Sequence, residues 1–258
     1  MVVESRLGQA TAHGYIGHTR LTNTVFGQNP TGTILPEARR RDLARLAGET
    51  ETWLLEDESL RWTPFDRPAP PPPIATFGGA DRLLTVGSFS KLLWGGLRVG
   101  WLRAPEPLVA RLGRLKAADD LGTSAVSQAI VVGLLDRLGE IAAHRRAQLE
   151  AGADQLMAGL AERLPDWTFR PPEGGLSLWV GLPRGTGDGF AQAALAHGVG
   201  VLPGSAACVD ESHLDHIRLS FTLAPDRLAL GIDRLVAAWA TYDSRATRPV
   251  RRPTTALG

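Results

Sequence analysis

The stretch that decides how this sequence is interpreted is LLTVGSFSKLLWGGLRVGW, residues 83–101. It begins with four apolar or β-branched residues, which favour a buried strand. Lys91 follows that strand and is one of only two lysines among the 28 lysine and arginine residues of the chain. An ε-amine can lose its proton and attack a carbonyl, whereas a guanidinium stays charged. Lys91 is therefore a candidate nucleophile, and a lysine that only caps the strand is the alternative.

Hydroxyl and guanidinium groups accompany Lys91 in the same stretch. Ser88 and Ser90 precede it, and Arg98 follows a glycine pair that lets backbone approach a ligand closely. Two hydroxyls and a planar fork of N–H donors suit a phosphate dianion. A phosphate site beside a reactive amine predicts the binding of a phosphorylated aldehyde cofactor.

The combination of Ser-Phe-Ser-Lys at 88–91 with Gly-Leu-Arg-Val-Gly-Trp at 96–101 resembles the cofactor-lysine segment of fold-type I pyridoxal-phosphate enzymes. It is most similar to class I/II aminotransferases and to the aminotransferase-like domain of MocR-type GntR regulators. This resemblance implies pyridoxal 5′-phosphate as the cofactor and Lys91 as the catalytic residue that forms its Schiff base. It also implies that Ser88, Ser90 and Arg98 hold the phosphate.

A second landmark is Gln-Asn-Pro-Thr-Gly at 28–32, where proline and glycine occupy turn positions. Pro36 then opens a helical pattern, as proline does at the start of many helices. On these physical grounds the segment is equally well a simple loop. The motif resembles the Asn-Pro-Thr-Gly loop of the same family, which implies that the Asn29 amide donates to the cofactor's phenolic oxygen.

The strand predicted at 52–55 is followed by three acidic residues, 56–58. Carboxylates at the carboxyl end of a parallel strand lie where α/β folds place their ligands, although acidic residues that start a loop are more often solvated. The resemblance implies that Asp57 pairs with the pyridinium nitrogen of the cofactor. Relatives usually carry a tyrosine two or three residues later, whereas this chain has Ser59 and Leu60.

The segment His-Ile-Arg-Leu-Ser-Phe-Thr at 216–222 alternates polar and apolar residues, which predicts a half-buried strand. An arginine inside such a strand needs an anionic partner, and an internal carboxylate is one candidate. The similarity to the family's Arg-Leu-Ser strand implies instead that Arg218 binds the substrate α-carboxylate by a bidentate contact. The segments 172–179 and 198–204 also resemble small-domain signatures of the family.

Strand and helix patterns alternate through the first half of the chain, which predicts an α/β fold with a mostly parallel sheet covered on both faces. With the resemblance, the fold class is the remnant of a three-layer pyridoxal-phosphate-transferase major domain plus a small α+β carboxyl-terminal domain. We assign residues 1–139 to the partial major domain and residues 140–242 to an interdomain helix and the small domain. The basic, Pro-containing residues 243–258 are expected to form a disordered tail.

Composition narrows the class of protein further. A net charge of +1 argues against a nucleic-acid-binding surface, and the single cysteine, Cys208, excludes an internal disulfide. No stretch has the length and apolarity of a secretory signal or a membrane span. His213 and His216 lack the spacing of a standard metal site, so no metal is expected. These features predict a cytoplasmic protein that binds neither nucleic acid nor membrane by itself.

Only about two dozen residues precede the Asn-Pro-Thr-Gly loop, so we expect the carboxyl-terminal portion of a longer protein, without the Gly-rich phosphate loop. The leading hypothesis is an aminotransferase that acts on an amino acid and a 2-oxo acid and is a homodimer if complete. One alternative is the pyridoxal-phosphate-binding effector domain of a GntR/MocR-type regulator that lacks its DNA-binding part. The other is an inactive fragment.

Overall fold

The structure is a computed structural model that describes residues 19–22, 27–50, 52–65, 70–208 and 212–246. Its strands and helices form two sheets, each with helices packed against it, and a long helix runs between them. Within the described ranges, no helix has both the length and the apolar character needed to cross a membrane.

Within the residues that the structure describes, the first sheet has four strands in the order β1-β2-β3-β4. These strands are β1 (Thr19–Thr22), β2 (Trp53–Asp57), β3 (Leu83–Ser88) and β4 (Gly100–Arg103). The first three are mutually parallel, and β4 is antiparallel to β3. Leu54, Leu55 and Glu56 of β2 are all buried, as expected of a strand with neighbours on both edges and helical cover. The carboxyl ends of β2 and β3 therefore open toward the same edge of the sheet.

Helix α1 (Glu37–Glu49) connects β1 to β2 and covers one face of this sheet. Pro36 precedes its first turn, and the helix ends where the Thr50 amide donates to the Leu46 carbonyl. A small core forms where α1 meets the sheet, from Ala44, Ala47, Leu54, Ile74 and Leu83. Between β2 and β3 the chain makes two short 3₁₀ turns, Ile74–Phe77 and Ala80–Arg82.

Gly87 shows why the strand before Lys91 contains a glycine. It pairs with Trp101 of the antiparallel β4. A Cβ at this position would overlap the indole ring of Trp101, which lies directly over the Gly87 backbone. The glycine in Gly-Ser-Phe-Ser-Lys thus allows β4 to pack closely beside the end of β3.

Three helices follow β4 and lead to the second sheet. They are α2 (Glu106–Asp120), α3 (Ala125–Leu134) and α4 (Leu138–Arg163). Helix α2 has no buried residue, whereas α4 buries Leu149, Leu156 and Leu160 against the second sheet. Helix α4 is thus the connection between the two halves of the structure.

The second sheet is antiparallel, with the order β5-β6-β8-β7. Its elements are β5 (Thr168–Phe169), β6 (Ser177–Gly181), α5 (Gly187–Ala196), β7 (Leu202–Pro203), β8 (His216–Ser220) and α6 (Pro225–Ala246). Alternation puts Leu178, Val180, Ile217 and Leu219 into the core against α4 and α6. Ser177, Trp179, Arg218 and Ser220 occupy the opposite face. The larger core of the molecule therefore lies in this second half.

The predicted elements of both halves are present, with shifts of a few residues at their ends. Strands β1 and β4 were not predicted. Helix α6 extends to Ala246, four residues into the segment 243–258 that was predicted as a tail, and residues 247–258 lie outside the described residues. Helix α4 begins at Leu138, two residues before the predicted boundary. The division into domains stays a prediction.

Candidate active site

A cleft with a volume of about 230 Å³ lies between the edges of the two sheets. The first half of the chain contributes Gly27, Gln28, Asn29, Gly32, Leu60 and Lys91 to its lining. The second half contributes Gly175, Leu176, Ser177, Arg218, Ser220 and Thr222. Three of the residues selected from the sequence, Asn29, Lys91 and Arg218, thus meet in one cleft.

Lys91 reaches the cleft because β3 ends at Ser88 and the chain turns at once. The Ser90 amide donates to the Ser88 hydroxyl at 3.2 Å, which stabilises this turn. The Lys91 side chain is exposed. A primary amine at the carboxyl end of a parallel strand is well placed to meet a ligand.

Ser88, Ser90 and Arg98, the expected phosphate ligands, flank Lys91 but are not part of the cleft lining. Ser88 is buried and Arg98 is exposed. Arg98 follows the 3₁₀ turn Gly95–Leu97 with a φ of 53°, in the left-handed region that side chains other than glycine seldom adopt. Strained backbone of this kind is common at ligand sites, which makes Arg98 a stronger candidate than its sequence alone does.

Asn29 and Arg218 contact each other across the cleft. The Arg218 Nη1 donates to the Asn29 Oδ1 at 2.9 Å. Arg218 is half-buried, and this burial lowers the pKa of its guanidinium. The guanidinium is still protonated in any accessible pH range, so it is an available anion-binding group in the cleft.

The loop that carries Asn29 is ordered by its own polar groups. The Gln28 Oε1 accepts from the Thr31 amide at 3.2 Å and from the Thr31 hydroxyl at 2.6 Å. The backbone also closes on itself, since the Gly32 amide donates to the Gln28 carbonyl at 2.6 Å. Asn29 is therefore presented to the cleft from a compact turn.

Asp57 ends β2 and is half-buried, with its Oδ1 accepting from the Ser59 amide at 2.8 Å. It is not part of the cleft lining. Its acidic neighbours are engaged elsewhere: Glu56 accepts from the Ile74 amide at 2.8 Å, and Glu58 pairs with Arg61 at 2.8 Å. Burial raises the pKa of both neighbouring carboxyls. Since Glu56 and Glu58 have partners within the protein, Asp57 remains the residue of these three that we propose as a partner of a bound ligand.

Leu60 lies in the lining of the cleft and is buried. Leu60 is one of the two positions at which the resemblance implies a tyrosine, and its apolar side chain is at the site. The cleft has an aliphatic wall at this point.

Sequence reasoning did not assign roles to the hydroxyl groups of Ser177, Ser220 and Thr222, which also line the cleft. Ser177 and Ser220 are paired across β6 and β8, and the Ser220 and Thr222 hydroxyls lie 3.0 Å apart. The period of two along the strand, counted from Arg218, would have placed Ser220 and Thr222 on the same face. The alternation along this strand could therefore have identified the Ser220 and Thr222 hydroxyls as candidate site groups from the sequence.

Comparison with known proteins agrees with this geometry. The sequence profile of the family Aminotransferase class I and II matches residues 22–235. Aromatic-amino-acid aminotransferase 1 of Thermococcus litoralis is 32% identical over 81% of this chain and 51% of its own length. The uncharacterized HTH-type transcriptional regulator YisV of Bacillus subtilis is 32% identical over 86% of this chain and 46% of its own. The chain thus spans about half the length of the curated relatives it matches.

Among solved structures, the α-aminoadipate aminotransferase LysN of Thermus thermophilus superposes with a TM-score of 0.80 at 27% identity, over 88% of this chain and 59% of LysN. That structure is a complex with N-(5′-phosphopyridoxyl)-L-leucine. The predicted α/β fold class is confirmed, and so is pyridoxal phosphate as the cofactor of the family. The chain therefore belongs to the class I and II aminotransferase family.

Proposed function

We propose that this chain binds pyridoxal phosphate and an amino acid in the cleft and transfers the amino group to a 2-oxo acid. The observation that carries the proposal is the convergence of Lys91 and Arg218, from opposite halves of the molecule, on one cleft. An amine that can attack an aldehyde and a guanidinium that can hold a carboxylate are the two groups this chemistry needs.

The chemistry of the donor set fits the cofactor. Lys91 offers the primary amine and Asn29 an amide in the same cleft, while Ser88, Ser90 and Arg98 flank Lys91 along the chain with phosphate-binding groups. When bound, pyridoxal phosphate supplies an aldehyde for the amine and a ring that withdraws electrons from the substrate Cα. Asp57, at the end of β2, is the proposed partner of the ring nitrogen.

The roles of the side chains follow from their positions. Arg218 holds the substrate carboxylate, which fixes the direction of the Cα–H bond in the cleft. With the cofactor bound, Lys91 Nζ would be the general base that takes the proton from the substrate Cα and the general acid that delivers it to the cofactor's C4′ carbon. Leu60 and Leu176 form an apolar wall of the cleft and keep water away from the substrate Cα on that side.

Amino transfer is tested with ¹⁵N-labelled amino acids. The purified chain is mixed with pyridoxal phosphate and the twenty ¹⁵N-α-amino acids, and the cofactor is analysed by mass spectrometry. We expect ¹⁵N in pyridoxamine phosphate well above a protein-free mixture, together with the matching 2-oxo acid. Cofactor and amino acid that bind without any ¹⁵N transfer would contradict the enzymatic proposal.

That second outcome would support a different function, an amino-acid-sensing domain of a transcription regulator. The matches to the regulators YisV and YdfD, at 32% and 31% identity, favour this candidate. A sensor needs the same cofactor and carboxylate contacts but no turnover. Binding without transfer is therefore its expected signature.

Leu60→Tyr tests whether this wall of the cleft contacts the cofactor. A tyrosine hydroxyl there would donate to the cofactor's phenolic oxygen, and a hydrogen bond to a charged group contributes about 1.5–3 kcal/mol. We therefore expect the pH midpoint of the bound cofactor's absorbance change to fall by about 1–2 units, measured by spectrophotometric titration. Leu60→Phe adds the ring without the hydroxyl and should leave the midpoint near that of the parent. Equal midpoints in all three proteins would place Leu60 away from the cofactor.

We further propose that the protein is a cytoplasmic homodimer. Helices α2 and α3 and the turn between them carry large apolar side chains that are mostly exposed, namely Leu115 (59%), Leu121 (95%), Val126 (71%) and Val132 (66%). Large apolar side chains that are exposed in this way are a feature of surfaces that make protein–protein contacts. A second copy of the chain is the proposed partner for this surface.

A further inference from the structure

The loop before β6 joins three separate parts of the chain at Glu173. Its backbone amide donates to the Gly32 carbonyl at 3.0 Å, and its carbonyl accepts from the Phe65 amide at 2.9 Å. Its side chain adds a third connection, since Oε2 accepts from the Ile34 amide at 2.7 Å. A short bond to an ionised carboxylate is stronger than a neutral one.

The same loop touches the Asn29 turn by close backbone contact. A Cβ at Gly27 would lie 2.7 Å from the Gly175 amide nitrogen, and a Cβ at Gly32 would lie 2.5 Å from the Pro172 Cβ. Both glycines also have a positive φ. The segment 27–34 is therefore seated on the segment 172–175, and a shift of one moves the other.

Asn29 lies within this seated segment, and its side chain contacts Arg218 in the cleft. One N–H of the guanidinium is used by Asn29, and the remaining donors of the fork are left to face the cleft. An arginine that is already oriented loses less side-chain entropy when a carboxylate binds. The position of Asn29 thus influences how tightly Arg218 binds an anion.

We propose that Glu173 is a positioning residue: its carboxylate, through the Ile34 amide, holds the segment 27–34 so that Asn29 keeps Arg218 oriented for the substrate carboxylate. This proposal rests on the function proposed above. Glu173 is exposed and lies outside the cleft lining, so it acts through Asn29 rather than on the substrate. Its two backbone bonds persist in any substitution, which isolates the effect of the carboxylate.

The experiment compares the parent with Glu173→Ala, Glu173→Gln and, as a matched control, Glu162→Ala, which removes an exposed glutamate of α4. Two probes are titrated by calorimetry: N-(5′-phosphopyridoxyl)-L-leucine, which carries a carboxylate, and N-(5′-phosphopyridoxyl)-3-methylbutylamine, which is the same molecule without the carboxylate. The ratio of their two dissociation constants measures the carboxylate contribution. Amide hydrogen exchange at Ile34 is followed by NMR in the absence of any probe.

In Glu173→Ala we expect the carboxylate contribution to fall about three- to tenfold, the equivalent of one hydrogen bond, and Ile34 to exchange faster. Glu173→Gln keeps an acceptor oxygen but loses the charge, so it should lie between the parent and Glu173→Ala, whereas Glu162→Ala should stay close to the parent. Unchanged Ile34 exchange and an unchanged ratio in Glu173→Ala would overturn the proposal, and so would a Glu173→Gln protein that behaves like Glu173→Ala. If the parent binds neither probe, the proposed function fails, and the exchange at Ile34 still decides whether Glu173 holds the segment.

Discussion

Lys91→Arg is expected to abolish covalent attachment of pyridoxal phosphate while the chain stays folded. The guanidinium keeps a positive charge near Ser88 and Ser90 but cannot attack an aldehyde, because it is not deprotonated in proteins. Lys91 is exposed in a turn, so the substitution should change the free energy of unfolding by about 0.5 kcal/mol or less. The measurement is borohydride reduction with pyridoxal phosphate, followed by peptide mass spectrometry.

Lys116→Arg is the matched control, since Lys116 is the second lysine of the chain. It lies on α2, where it pairs with Asp120 on an exposed surface, and an arginine can make the same ion pair. We expect the phosphopyridoxyl mass on the Lys91 peptide in the parent and in Lys116→Arg, and no specific label in Lys91→Arg. A label of equal yield on Lys116 in the parent would mean that the reaction follows solvent access rather than the cleft.

The sequence was informative about this site wherever a local pattern carried the information. The strand before Lys91 and the alternation around Arg218 were both predictable, because period-two burial is encoded in neighbouring residues. The contact between Asn29 and Arg218 was not, since it joins residues 189 positions apart and depends on how the two sheets meet. Asn29, Lys91 and Arg218 were therefore predicted as three separate candidates. The structure shows that all three line one cleft.

Strand β4 was not predicted, and the reason is physical. Strand β4 (Gly100–Arg103) has three exposed residues, Gly100, Leu102 and Arg103, and follows a 3₁₀ turn, so its sequence shows no regular alternation. It forms a strand because its backbone pairs with the free edge of β3 and because Gly87, which has no side chain, leaves room for the Trp101 ring. Pairing of this kind is decided by tertiary contacts rather than by intrinsic propensity.

Arg40 was also not identifiable from sequence. It stands in the arginine-rich start of α1, where a basic side chain is normally solvated, yet it is fully buried. Its Nε donates to the Leu35 carbonyl at 2.8 Å, and its Nη1 lies 3.9 Å from Oε1 of the buried Glu56. Removing one partner of a buried ion pair leaves an uncompensated charge and costs about 3–5 kcal/mol.

Arg40→Leu is therefore expected to destabilise the chain by about 3–5 kcal/mol near neutral pH, measured by urea unfolding. Arg45→Leu is the matched control on the same helix, because Arg45 pairs with Glu49 at 3.0 Å on the exposed face, and a pair of that kind contributes about 1 kcal/mol or less. Equal losses in the two variants would contradict the assignment of a buried pair.

The pH dependence of that loss identifies Glu56 as the stranded partner. Burial raises the pKa of Glu56, and Arg40 partly opposes that rise, so Arg40→Leu should raise it further. A carboxyl whose folded-state pKa is raised stabilises the fold below its unfolded-state pKa of about 4.3, and this contribution is lost as pH rises through the folded-state pKa. The loss in free energy of unfolding caused by Arg40→Leu should accordingly be smallest at low pH and grow as the pH rises. The double variant Arg40→Leu/Glu56→Gln has no carboxyl at this position, so its free energy of unfolding should depend less on pH and should be higher than that of Arg40→Leu near neutral pH. Because Glu56 adjoins Asp57 at the end of β2, a loss independent of pH would mean that this strand end is held by packing rather than by the Arg40–Glu56 ion pair.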